Sequence, residues 1–331
     1  MTWNELLEHQ EILAGFRRAI ERGRLASTFL FVGPAGIGKR TFATKLAQAL
    51  FCETHSDTEL EACGHCPSCA QVAAGTHPDL EYVCKPADKA YIPLETFIGD
   101  KEHRNREGLC HRIALKPMRG RRKIAIIDDA DHLNAEGANC LLKTLEEPPA
   151  KSLIILIGTS AQRQLPTIRS RCQIIRFGPL SPESVETLLL RHGLIESPEE
   201  AQSLAAMSDG SLQGALSIRD ESMREFRDQF LRGLPHVANE SVQMAKELMQ
   251  FVEAAGKDAP QKRARLRTVA GWAMEHYRSS MRAAAVEGNQ SYQAEREASR
   301  LERSALMIRH VDSNANLTSV VEAWIDDLAR A

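Results

Sequence analysis

The sequence predicts an α/β fold: a mostly parallel β-sheet with helices on both faces, continued by a small helical lid and an all-helical C-terminal part. Five short apolar runs, TFLFVG, DLEYVC, KIAIIDD, SLIILIG and QIIRF, alternate with stretches of helical period between residues 1 and 177. Such alternation is the pattern of strands joined by crossover helices. After Phe177 the strands stop, and apolar residues recur only at three- and four-residue steps.

The opening MTWNELLEHQEILAGFRRAI sets charged among apolar residues at helical spacing and lacks the basic-then-apolar layout of a signal peptide, so a cytoplasmic location is expected. TFLFV runs directly into Gly33-Pro34-Ala35-Gly36-Ile37-Gly38-Lys39-Arg40-Thr41 and the helical FATKLAQALF. Strand, glycine loop and helix in that order form a phosphate loop. The glycines expose backbone N–H groups to phosphate, the helix N-terminus adds positive dipole, and Lys39 supplies a charge. In such loops a Ser or Thr follows the lysine and binds Mg²⁺. Here Arg40 stands in its place. Thr41 carries a hydroxyl one residue later, about 100° further round the helix, where it is expected to point elsewhere. Nucleotide can still bind through the loop and Lys39, but ATP/Mg²⁺ chemistry in this chain is expected to be weak or absent. The plain alternative is a glycine turn with no phosphate role.

Eight cysteines occur, and Cys52, Cys63, Cys66 and Cys69 fall within 18 positions directly after that helix. Two consecutive C-x2-C steps let thiolates converge on one ion, and four sulfurs make a closed tetrahedral structural Zn²⁺ site. His65, His55 or His77 can replace one sulfur, and free buried cysteines are the bland reading. The remaining cysteines read as buried small residues.

Lys123-Ile124-Ala125-Ile126-Ile127-Asp128-Asp129 is an apolar strand ending in carboxylates, with Asp128 placed for a Mg²⁺ site; a solvated strand end is the alternative. In residues 178–220, Ser181-Pro182 and Ser197-Pro198-Glu199-Glu200 mark two helix starts, the second a capping box with proline in the first turn. Residues 221–331 read as a third, helical domain, carried by segments such as SVQMAKELMQFVEAA and NLTSVVEAWIDDLA. The domains expected are therefore 1–177, with a cysteine module at about 52–69, then 178–220 and 221–331.

With 42 basic against 44 acidic residues the chain has a net charge of −2, which excludes a partner held by a uniformly basic surface. Its longest apolar runs are strand-sized, far from the roughly 20 residues of a membrane span.

A phosphate loop followed at once by a four-cysteine insertion, then Leu145-Glu146-Glu147-Pro148-Pro149 and Ser170-Arg171-Cys172, resembles the AAA+ clamp-loader subunits of bacterial DNA polymerase III. The resemblance covers the first 180 residues closely and the rest loosely, through GSLQGAL and NANLTSVVEAWI. It implies a hetero-pentamer of gamma/tau and delta subunits with this chain, contact with the sliding clamp and primed DNA through that complex, a C-terminal collar, and residence at the bacterial replisome. Hydrolysing members carry Ser or Thr after the lysine, Glu after the strand-end Asp, and an arginine in the lid helix. This chain has Arg40, Asp129 and Gln213, a combination that looks like the non-hydrolysing delta prime branch. By the same resemblance, Gly33, Gly36, Gly38, Lys39, Thr41, Asp128, Asp129 and Thr159, the last at the polar sensor position, make up a degenerate nucleotide site. Arg171 is then an arginine finger offered in trans to a neighbouring ATPase. Two other functions remain open from sequence: an active gamma/tau-type ATPase that uses Thr41, and a zinc-bearing nucleotide-binding regulator outside replication.

Overall fold

The computed structural model describes residues 3, 6–119, 121–256, 258–286, 291–312 and 315–331. The chain divides into two compact units, Met1–Ile218 and Arg219–Ala331. All five expected strands form: β1 Thr28–Val32, β2 Leu80–Val83, β3 Lys123–Ile127, β4 Ser152–Gly158 and β5 Gln173–Arg176. They make one parallel sheet in the order β2-β3-β4-β1-β5.

Every residue of the three central strands β3, β4 and β1 is buried, whereas β2 and β5 at the edges are partly exposed. Continuous apolar runs are what a sheet covered on both faces needs, because successive side chains enter opposite cores. Phe29 and Phe31 point to one core and Leu30 and Val32 to the other.

The helices of the first unit are α1 Gln10–Glu21, α2 Lys39–Phe51, α3 Pro67–Ala73, α4 Glu95–Ile98, α5 Leu109–Ala114, α6 Ala135–Glu146, α7 Pro166–Arg169, α8 Pro182–Arg191, α9 Pro198–Met207 and α10 Leu212–Ile218. Of the helical spacing read from the first residue onward, α1 takes up Gln10–Glu21, and residues 1, 2, 4 and 5 lie outside the described residues. Phe42 of α2 is fully buried, with the rings of Trp3, Phe177, Phe16 and Phe31 at 5.2, 5.3, 5.8 and 5.9 Å. Truncating it to Ala would cost about 3–5 kcal/mol. Both expected helix starts are present: Ser181 Oγ caps α8 by accepting from Ser184 N, and Ser197 Oγ caps α9 by accepting from Glu200 N. Leu189 of α8, Leu204 of α9 and Ala215 of α10 bury into the same core as Phe42 and Ile155.

The second unit holds α11 Glu221–Gly233, α12 Val237–Glu253, α13 Ala259–Val286, α14 Ser291–Asp312 and α15 Leu317–Arg330. Its core gathers Phe226, Phe230, Leu248, Tyr277, Val321, Trp324 and Ile325. Trp324 Nε1 donates to the buried hydroxyl of Ser304, which donates to Arg300 O, so the indole burial leaves no polar atom unpaired there.

Candidate functional site

A cavity of about 720 Å³ opens at the carboxyl ends of β1, β3 and β4, the place where parallel α/β sheets bind ligands. Of the residues that the sequence assigns to a nucleotide site, Gly36, Gly38, Lys39, Thr41, Asp128, Asp129 and Thr159 line it. Gly33 sits at the end of β1 with its N–H donating to Thr159 O. A side chain there would collide with Phe177 O, 2.4 Å from an added Cβ. Gly36 has φ +72°, and an added Cβ would lie 2.6 Å from the Gln213 side chain. Gly38 is the N-cap of α2.

The lysine is turned inward. Lys39 is 7 % exposed, and its Nζ donates to Gly33 O at 2.7 Å and Pro34 O at 2.5 Å. Burial lowers its pKa to about 8, against the opposing pull of the Asp131 and Asp128 carboxylates.

Arg40 faces the strand-end carboxylate. Its Nη1 lies 3.8 Å from Asp128 Oδ2 and 3.4 Å from Tyr82 Oη, and the Tyr82 hydroxyl donates to the same Asp128 oxygen at 2.9 Å. Burial and the nearby Asp128 charge push the Tyr82 phenol above its ordinary range, so it stays a donor. Asp128 Oδ1 accepts from Asp129 N at 3.0 Å. Asp129 itself is exposed and takes left-handed backbone angles, φ 56°, which a short polar residue tolerates. Thr41, on the same first turn of α2, is exposed and lines the cavity.

Two residues of this site escaped the sequence reading. Tyr82 belongs to a strand whose register against β3, Val83 beside Ile127, is not written in its composition. Asp131 accepts from Thr159 N at 2.7 Å, Thr159 Oγ1 at 2.5 Å and Gln164 Nε2 at 2.7 Å, and so takes up both donors of Thr159. Its signal was a third acid close behind Asp128 and Asp129. From the residues that open α10, Ser211 Oγ donates to Ala35 O at 2.7 Å and Leu212 N to Gly36 O at 3.1 Å, so the start of α10 and Gln213 lie on the glycine loop.

The four cysteines converge. Their sulfurs all lie within 4.8 Å of one another, close to the roughly 3.8 Å edge of a tetrahedron with 2.3 Å metal–sulfur bonds. Cys52 is the C-cap of α2 and Cys66 the N-cap of α3, so two helix ends fix two ligands. Backbone N–H groups of Cys63 and His55 donate to Cys52 Sγ at 3.5 Å, that of Cys66 to Cys63 Sγ at 3.3 Å, and that of Cys69 to Cys66 Sγ at 3.4 Å. The Thr54 hydroxyl and the backbone N–H groups of His65 and Cys66 pull the Cys63 thiol down to about 5, while burial pushes Cys69 up. This donor set fits a tetrahedral metal ion such as zinc. The three histidines are engaged elsewhere: His55 with Glu59, His65 with Cys63 O, and His77 stacked on Phe51 at 4.1 Å. Of the other cysteines, Cys84 is exposed at the end of edge strand β2 and lines the cavity, and Cys110, Cys140 and Cys172 are half-buried. The expectation that all four are buried therefore fails, most plainly for Cys84, because an edge strand has one side open to solvent.

Arg171 lies away from the cavity, between α7 and β5. Its guanidinium meets Glu146, the last residue of α6.

The profile of the family described as DNA polymerase III, delta subunit matches residues 8–181. The chain belongs to that DNA polymerase III family. The match takes in the sheet, the glycine loop, the cysteine cluster and Arg171. Among relatives, DNA polymerase III subunit delta' of Pseudomonas aeruginosa is 34 % identical over 67 % of this chain and 64 % of its own length. The delta' subunit of Bacillus subtilis is 32 % identical over 70 % of this chain and 66 % of its own. The tau subunit of Escherichia coli is 30 % identical over 67 % of this chain and 33 % of its own. The chain thus spans about two thirds, or slightly less, of the delta' relatives it matches.

Proposed function

We propose that this chain is a delta prime-type component of the DNA polymerase III clamp loader. It joins gamma/tau and delta subunits in a hetero-pentamer, does not hydrolyse nucleotide itself, and helps load the sliding clamp onto primed DNA in the bacterial cytoplasm. The observation that carries the reading is Arg40. A fixed cation follows Lys39 and stands 3.8 Å from Asp128, the carboxylate that a magnesium-dependent site needs for its metal. Asp129 and Gln213, where active relatives use Glu and Arg, support the same reading.

Arg171 then acts outside the chain's own cavity, as a guanidinium offered to ATP on a neighbouring subunit while charge spreads over the transferring phosphoryl group. Residues 1–177 form the AAA+ domain, 178–220 the lid and 221–331 the collar. The cysteine cluster holds a structural Zn²⁺, whose chemistry is to close the loop between α2 and α3. A second reading, an active gamma/tau-type ATPase, draws support from Thr41 on the cavity wall.

Steady-state ATP turnover separates the two. The purified chain should turn over negligible ATP, and a rate typical of a competent AAA+ enzyme would favour the second reading. In a reconstituted loader, Arg171→Ala should remove most turnover at the neighbouring interface, up to roughly 10³-fold at that site, with assembly intact. Unchanged turnover would remove the finger.

A further inference from the structure

Arg171 is held by its own chain. Its Nε donates to Glu146 Oε1 at 2.8 Å and its Nη2 to the same oxygen. Nη1 donates to Thr167 O at 2.9 Å and Ser170 Oγ at 3.2 Å. Four of the five guanidinium N–H groups are thereby in use. The backbone is fixed separately, since Thr28 Oγ1 donates to Arg171 O at 2.7 Å. Any change in the reach of this arginine is consequently a rotation of its side chain.

Glu146 is an unexpected holder. It is the last residue of α6, where the helix presents its negative end and an acid is disfavoured. The guanidinium offsets that cost. Its carboxylate covers the Nε and Nη2 edge, the edge with which arginine binds a phosphate through two parallel bonds. An arginine held this way has its charge neutralised and its best phosphate-binding edge occupied. The pair is also breakable, because the Arg171 and Glu146 side chains are 30 % and 48 % exposed and water competes for both.

We propose that Glu146 is a positioning residue that parks Arg171 and gives it up when a neighbour's triphosphate competes for the guanidinium. This rests on the arginine-finger reading above. Several phosphate charges against one carboxylate drive the exchange, so the finger engages only at a loaded neighbouring site. A parked finger keeps turnover low until the assembly brings triphosphate and arginine together.

The test uses the reconstituted loader, with ATP turnover and KM measured with and without clamp and primed DNA. The variants are Glu146→Gln, Glu146→Asp, Arg171→Ala and the double Glu146→Gln/Arg171→Ala. Glu146→Gln should raise unstimulated turnover by roughly two- to fivefold, the weight of an exposed ion pair, and lower KM for ATP. Glu146→Asp, which keeps the carboxylate, should stay nearer the parent, and the double variant should match Arg171→Ala. Unstimulated turnover that is unchanged or reduced in Glu146→Gln, together with a clear loss in Arg171→Ala, overturns the parking role alone. A silent Arg171→Ala overturns the finger reading beneath it.

Discussion

Arg40 and Lys39 are adjacent cations with opposite circumstances. Arg40 is exposed and stands 3.8 Å from Asp128, so a divalent ion approaching that carboxylate meets a like charge, worth roughly 2 kcal/mol of repulsion for a doubly charged ion about 4 Å away in water. Arg40→Ser should therefore tighten Mg²⁺-dependent binding of a fluorescent ATP analogue by about tenfold or more, and on the non-hydrolysing reading proposed above it should not by itself create turnover. Equal affinity in Mg²⁺ and in chelator would show that Arg40 is not what limits the metal. Lys39 is buried, and its ammonium has a pKa lowered to about 8 by that burial. A basic group whose folded pKa is depressed carries a destabilising charge below that pKa, and the penalty disappears as pH rises toward the unfolded value near 10.5. The parent protein should then gain stability relative to Lys39→Met between pH 8 and about 10.5. Denaturation midpoints of the two proteins at pH 7, 9 and 10 that differ by a constant amount would contradict the assignment.

At the scale of elements, the cysteine loop is tied to its surroundings by more than sulfur. Gln48 Nε2 of α2 donates to Cys69 O at 3.0 Å, Trp3 Nε1 to Leu60 O at 2.6 Å, and Arg17 Nη2 of α1 to Glu61 at 2.5 Å. A metal held by Cys52, Cys63, Cys66 and Cys69 thus braces the C-terminal end of α2, the helix that begins at the glycine loop. Stripping the metal with a chelator, or replacing Cys66 by Ser, should lower the melting temperature by at least about 5 °C. One zinc per chain by elemental analysis should accompany the untreated protein, and an unaltered melting curve after metal loss would deny the brace. The strands and the capped starts of α8 and α9 were legible in sequence because each depends on neighbours within a few positions. What joins distant elements was not. The Tyr82–Asp128 contact depends on the β2–β3 register, and the approach of Gln213 to Gly36 spans 177 positions, so local periodicity carries no trace of either. The bonds of Arg171 to Glu146 lie between these cases: the motifs flagged both residues, and only the fold set them face to face.

For the whole molecule, the decisive property is that each unit closes a core of its own. In Arg219–Ala331, α12 packs on α15 and α13 on α14, with Phe226, Phe230, Trp324 and Tyr277 buried between helices. Phe226 stacks on Phe251 at 3.9 Å, and the Arg265 guanidinium lies 4.8 Å from that Phe251 ring, so aromatic and cation contacts also close within the unit. A segment of this length with five helices and a shared apolar interior is within the size range at which domains fold independently. A fragment of residues 219–331 expressed alone should consequently be helical by circular dichroism and unfold in one cooperative transition. Mutating its core should shift that transition without moving the one that responds to chelator: Trp324→Ala removes a ring that is 2 % exposed and leaves the Ser304 hydroxyl without its donor, a loss of about 3–5 kcal/mol. If the fragment is unfolded, or if Trp324→Ala in the full chain lowers both transitions equally, the two units are one cooperative body, and metal loss in the first should then destabilise the second as well.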